Sequence, residues 1–152
     1  MAISTAEARR QILDDLAAAL DQIGLALALL GEAVEQLAVD PADRLEADLY
    51  RPVQRAYGRG QRTYAQYAQR VGLSGDTFQP PSETPSSQGT RELIQKMAAA
   101  VTDADRRIAE LQDSMLPIEF GDGELRTGLS EVRELLEKVP AQAGLFLRDL
   151  GR

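Results

Sequence analysis

Residues 13–37 read LDDLAAALDQIGLALALLGEAVEQL. Leu13, Leu16, Leu20, Ile23, Leu27, Leu30, Val34 and Leu37 recur at alternating spacings of three and four, which aligns them along one seam of a helix. The flanks of that seam are almost all small: Ile12, Ala19, Ala26 and Ala33 on one side, Ala17, Gly24, Gly31 and Ala38 on the other. Small flanks admit neighbouring helices closely, so the stretch predicts a bundle. Between Gln22 and Gly31 no charge interrupts the helix on any side, and a helix apolar all round is normally buried.

The rest of the chain repeats the pattern. Helix one is expected from about Thr5 to Ala38, followed by a tight turn at Val39 and Asp40. Asp40 is a ready N-cap there, and Pro41 the favoured first helical residue. So short a turn sends helix two (about Pro41 to Val71) back antiparallel, burying Leu45, Leu49, Val53, Ala56, Gly60, Tyr67 and Val71, with a kink or break at Pro52. Residues 74–89 change to Ser, Pro, Gly, Thr and Gln, with Pro80, Pro81 and Pro85 preventing regular structure, which reads as a long connector or mobile loop. Helix three carries Ile94, Met97, Val101, Ala104, Ile108, Leu111 and Met115 and stops at Pro117. After the turn Gly121-Asp122-Gly123, helix four presents Leu125, Leu129, Val132, Leu136, Val139, Ala143, Phe146 and Leu150, bent at Pro140. The predicted fold is all-α: one domain (1–152) forming an antiparallel four-helix bundle, with hairpin one at 5–73, the Pro/Ser-rich connector at 74–89 and hairpin two at 90–150.

With 152 residues the chain buries enough surface to fold without staples. Its lack of cysteine removes disulfide and thiol chemistry and makes the cytoplasm the expected location. The N-terminus is not patterned as a signal peptide, and Asp21 interrupts the apolar run that follows, so no membrane span is expected. A net charge of -7 disfavours nucleic acid and anionic lipid as partners of the whole surface.

Most catalytic chemistry lacks its residues. The absence of histidine excludes the Glu-x-x-His di-iron centre of helical bundles and the imidazole-based nucleophile systems. Together with the absence of cysteine it leaves no zinc site of the usual kind, so no metal and no cofactor is expected. Carboxylates remain. Glu32-Ala-Val-Glu35 superficially resembles the Glu-x-x-Glu segment of all-helical nucleotide pyrophosphohydrolases, which would imply magnesium and a phosphorylated substrate, with Glu46 as a third acid. The matching Glu-x-x-Asp segment is missing, because Asp43-Arg-Leu-Glu46 reverses the order. A solvated helix face with acids at helix N-termini explains these residues more simply, as it does Glu131, Glu134 and Glu137.

Helix two is the compositional anomaly. It holds all the tyrosines (Tyr50, Tyr57, Tyr64, Tyr67) together with Arg51, Arg55, Arg59, Arg62 and Arg70, and no acid occurs between Leu49 and Gly75. Arg51, Arg55, Arg59 and Arg62 cluster about 130° from the buried seam and should face water. Like charges one turn apart destabilise a helix by a few tenths of a kcal/mol per pair, so a counter-charge is expected. Carboxylates of a neighbouring helix or second subunit are the plain source. A protein partner or an anionic ligand bound by Arg51, Arg55, Arg59 and Arg62, with Tyr57 and Tyr64 stacking, is the sharper one. Against it, tyrosines at this spacing are more often core lining, with their hydroxyls reaching water.

A second candidate surface is the outer strip of helix one, Ala18, Leu25, Ala28 and Leu29. Left bare it would be an unusual greasy face, so a homodimer packing helix one on its mate is expected, the rival cover being the Pro-rich connector. The residues lead to a non-enzymatic interaction or assembly module.

Overall fold

The computed structural model describes residues 3–82 and 87–151, and among them every regular element is helical. Pro85, part of the expected connector, lies outside the described residues.

Helix α1 (Thr5–Glu35) begins at Ser4, whose Oγ accepts the Glu7 N–H at 3.1 Å, a side-chain cap with an acid in the first turn. It ends at Glu35, three residues earlier than expected. Helix α2 (Val39–Leu45) starts with Ala38 in the cap position and no side-chain bond, so Asp40 lies inside the first turn instead of capping it. Pro41 consequently sits third in the helix.

The expected disturbance at Pro52 is a π turn, Glu46–Tyr50, which leads into α3 (Arg51–Val71) without a gap. Proline has no N–H and its ring crowds the carbonyl four residues back. The widened turn gives the backbone another partner: the Arg51 N–H reaches back five residues to the Glu46 carbonyl. Helix α3 closes at Gly72, which takes the left-handed conformation (φ 69°), while the Leu73 N–H bonds the Ala68 carbonyl at 3.0 Å. Val71, expected in the core, is half-buried.

Helix α4 (Thr90–Asp113) stops before Met115, whose φ of 69° turns the chain into the single turn α5 (Leu116–Glu119). Met115 therefore leaves the seam and is 48% exposed. Asp122 caps α6 (Gly123–Leu136), accepting the Leu125 N–H at 2.8 Å. The bend expected at Pro140 is a break: α6 ends at Leu136 and α7 (Val139–Leu150) begins with Pro140 in its first turn, where a missing N–H costs nothing.

Long-range contacts fix the directions. Gln36, just after α1, donates to the Gln88 carbonyl and accepts from the Thr90 hydroxyl, both at 2.9 Å, so α1 and α4 run oppositely. Leu20 lies on Gly60 and Gly24 on Tyr57, so α1 and α3 do too. A Cβ at Gly24 would stand 3.2 Å from the Tyr57 hydroxyl oxygen, which explains a glycine in the middle of α1. Thr63 of α3 packs on Gly128 of α6, Arg133 of α6 reaches Asp105 of α4, and Arg91 of α4 donates to the Leu147 carbonyl of α7 at 3.0 Å.

Leu13, Leu16, Leu20, Ile23, Leu27 and Leu30 are all buried, and Val34 and Leu37 pack against the core edge. By length and composition α1 is apolar enough to cross a membrane, and 56% of its most apolar window is buried inside the structure.

Candidate functional site

The basic residues of α3 divide into two groups. Near its end, Arg70 is fully paired: Nε and Nη2 donate to the two carboxylate oxygens of Asp122 at 2.6 and 2.8 Å, Nη1 meets Glu124 at 2.9 Å, and the guanidinium lies 5.9 Å over the Tyr67 ring. This is the bidentate geometry for which arginine is suited. The hydrogen bonds from Arg70 hold the Asp122 carboxyl below the usual range. The same carboxylate caps α6, so one acid serves the helix end and the arginine together.

Upstream, Arg59 pairs with Glu131 of α6 and donates to the Thr63 hydroxyl at 2.9 Å, and that hydroxyl donates back to the Arg59 carbonyl. Arg51, Arg55 and Arg62 are exposed and, among the described residues, their side chains make neither an ion pair nor a hydrogen bond. The neighbouring helix thus supplies counter-charge to one of the four arginines read from the sequence. Arg55 and Arg62 border a groove of about 490 Å³ between α3 and α6, with Gly58 and Leu135 in its lining and Gln54 and Glu131 on its sides. A Cβ at Gly58 would meet nothing within 4 Å, so the groove is open there down to the backbone.

The tyrosines take no part in it. Tyr57 is 6% exposed and Tyr64 2%, so neither ring can stack on a ligand while the helices stay packed, which corrects their place in the sequence-derived site. The hydroxyls of Tyr64, expected in water, and of Tyr67 are both engaged inside the protein. The Tyr67 hydroxyl donates to the Phe120 carbonyl at 2.9 Å. The Tyr64 hydroxyl accepts the Asp76 N–H at 3.0 Å, Phe78 stands edge-on to its ring at 4.9 Å, and a Cβ at Gly75 would lie 2.6 Å from it. Burial raises the pKa of both Tyr57 and Tyr67, with Asp21 adding to the effect at Tyr57. Sequence reasoning missed Thr63, Gly58 and Leu135, and named Glu131 only among the solvated acids of helix four. Gly58 carried a signal, a glycine inside a helical pattern, and Glu131 the general one of a neighbouring-helix carboxylate.

The strip on α1 narrows. Ala28 is 7% exposed, Ala18 and Leu29 are half-buried, and only Leu25, at 37%, is exposed. Leu25 and Leu29 line a depression of about 420 Å³ with Ala99 and Ala100 of α4 and Gln88 from the end of the connector. Helix α4 therefore borders the face assigned to a dimer contact at Leu25 and Leu29.

The carboxylates of the enzymatic reading stay apart. Glu32 is half-buried, Glu35 and Glu46 are exposed, and among the described residues no three acids converge so as to hold a cation. The cavity between α4 and α6, about 590 Å³, is lined by Arg133, which is already bonded to Asp105 and Gln112 at 2.9 Å each. No protein-family model matches the chain, and neither a curated protein nor a solved structure does.

Proposed function

We propose that the chain is an antiparallel four-helix bundle, two hairpins joined by the long connection, that acts as a non-enzymatic interaction module in the cytoplasm and docks an acidic protein surface on α3. One observation carries the reading: the side chains of Arg51, Arg55 and Arg62 are unpaired among the described residues, in a protein of net charge -7 where acids are plentiful. Such a row weakens its own helix by repulsion, a cost of a few tenths of a kcal/mol per pair that an external carboxylate would offset. Guanidinium forks suit carboxylate, and the open floor at Gly58 lets a partner's backbone approach. Nucleic acid fits less well, because the buried tyrosines offer no stacking platform and the net charge repels a polyanion.

Fluorescence titration separates the classes of partner. A labelled acidic helical peptide, an oligonucleotide and a nucleoside triphosphate are each added at about 50 mM and about 200 mM salt. The peptide is expected to bind, and Arg55→Ala with Arg62→Ala to abolish that binding. Retention of oligonucleotide at the higher salt, lost in the same variant, would move the site to nucleic acids. Unchanged peptide binding in the variant would remove α3 as the docking face.

A further inference from the structure

The outward line of α2 and α3 contains more than arginine. Leu45, Leu49, Val53, Ala56 and Gly60 are buried, and at about 100° per residue the positions opposite them are Asp43, Ala47, Arg51, Arg55, Gly58 and Arg62. All are exposed except the half-buried Gly58. Charge along this line is ordered. Asp40 and Asp43 lie at the start, with Glu46 and Asp48 beside them, and the arginines follow. Among the described residues none of these four acids makes an ion pair or a hydrogen bond.

A face that is negative at one end and positive at the other is complementary to itself turned end for end, which is the property a two-fold axis requires. We infer that the surface docking on α3 is a second copy of this chain, its α2–α3 segment antiparallel to the first. In the register that sets Asp43 opposite Arg55 of the second copy, Ala47 comes opposite Arg51, and the axis repeats both contacts. Asp48 then lies within a turn of the mate's Arg51. Ala47 is small enough to leave room for that arginine's stem. The inference rests on the docking reading above and names its partner. A foreign acidic helix laid along the whole line would meet Asp40 and Asp43 as like charges, whereas a second copy presents arginines there. The repulsion between two chains of -7 is screened beyond about 10 Å at 0.1 M salt, while contact pairs persist.

Sedimentation equilibrium of the full chain at about 0.1 M and about 1 M salt tests this. At the lower salt the mass is expected to rise with concentration from 16.6 kDa towards twice that value, and at the higher to stay monomeric. Arg51→Glu with Arg55→Glu, and separately Asp40→Lys with Asp43→Lys, each set like charges opposite one another across the axis and should remain monomeric. Mixed, the two variants should pair. The positions are exposed and unpaired, and circular dichroism verifies that both variants fold. A wild type that never associates, a dimer indifferent to both variants, or a mixture that stays monomeric overturns the inference. If the wild type stays monomeric while the acidic peptide still binds through Arg55 and Arg62, the self-pairing falls and the docking reading stands.

Discussion

Helix α3 treats its arginines in two opposite ways within little more than four turns. At its end Arg70 is held by Asp122 and Glu124 and laid over Tyr67, and the acid that holds it also starts α6. In its middle the side chains of Arg55 and Arg62 have no partner among the described residues, although α6 runs alongside and has Glu131 within reach of Arg59. The same helix and the same neighbour produce a closed site and an open one. Counter-charge is recruited where it also ends a helix or fixes a packing contact, and the remaining cations are left to the solvent side. The closed end is therefore expected to govern stability and the open middle association.

Substitutions that break this division would show most at the closed end. Tyr67→Ala removes a buried ring and its bond to the Phe120 carbonyl, and should cost about 3–5 kcal/mol in chemical denaturation, the range for large aromatic truncations. Gly128→Ala places a methyl group on Thr63 at the α3–α6 contact; a loss of about 1–3 kcal/mol is expected in the same measurement, despite the better helix propensity of alanine. Asp122→Ala should cost about 0.5–2 kcal/mol as a lost cap, with the Arg70 pair lost in addition.

The pH dependence of Asp122 sharpens the contrast. Its carboxyl titrates lower in the folded protein than in the unfolded chain, so its stabilising effect is complete above the unfolded value of about 3.9 and is lost as pH falls through the lower folded one. Asp103, lowered by Arg107 and Arg106, contributes with the same sign. Acid unfolding followed by circular dichroism should be less steep below about pH 4 in Asp122→Asn, which keeps a capping side chain but has no carboxylate.

The open middle should respond weakly and in the other direction. Gly58→Ala meets no neighbour and should raise stability by about 0.5–1 kcal/mol, while the added methyl group hinders close approach by a partner. Arg62→Gln should change the melting by a few tenths of a kcal/mol at most, through relief of the repulsion with Arg55 and Arg59. A large loss of stability from Arg62→Gln would mean that the middle is closed after all.

The core positions of α1 and α6 were legible because one physical rule, burial of a face that returns every three to four residues, acts locally and without reference to partners. Leu16, Leu20, Leu129 and Val132 need no knowledge of what covers them. Helix ends were less legible. Asp40 looks like a cap, yet Ala38 holds that position, since the register of α2 is set by Leu45 and Leu49 entering the core. Met115 continues a seam on paper but lies past the turn that α5 imposes. At the candidate site the outward direction of Arg51, Arg55 and Arg62 follows from angle alone, whereas the partner of Arg59 does not, since nothing in the residues near Arg59 points to Glu131. The depth of Tyr57 and Tyr64 was equally hidden, because Gly24 and Gly75 make room for them from other segments.

The clamp on Tyr64 has a consequence for engineering. Leu73 and Phe78 pack on the core and Asp76 is bonded to α3. Doubling the length of a loop costs only about 0.6 kcal/mol, so a reporter tag spliced between Pro80 and Pro81, past these contacts, should be carried with little penalty. The same tag spliced between Asp76 and Thr77 would pull Phe78 off its aromatic seat and uncover a ring that is otherwise dry.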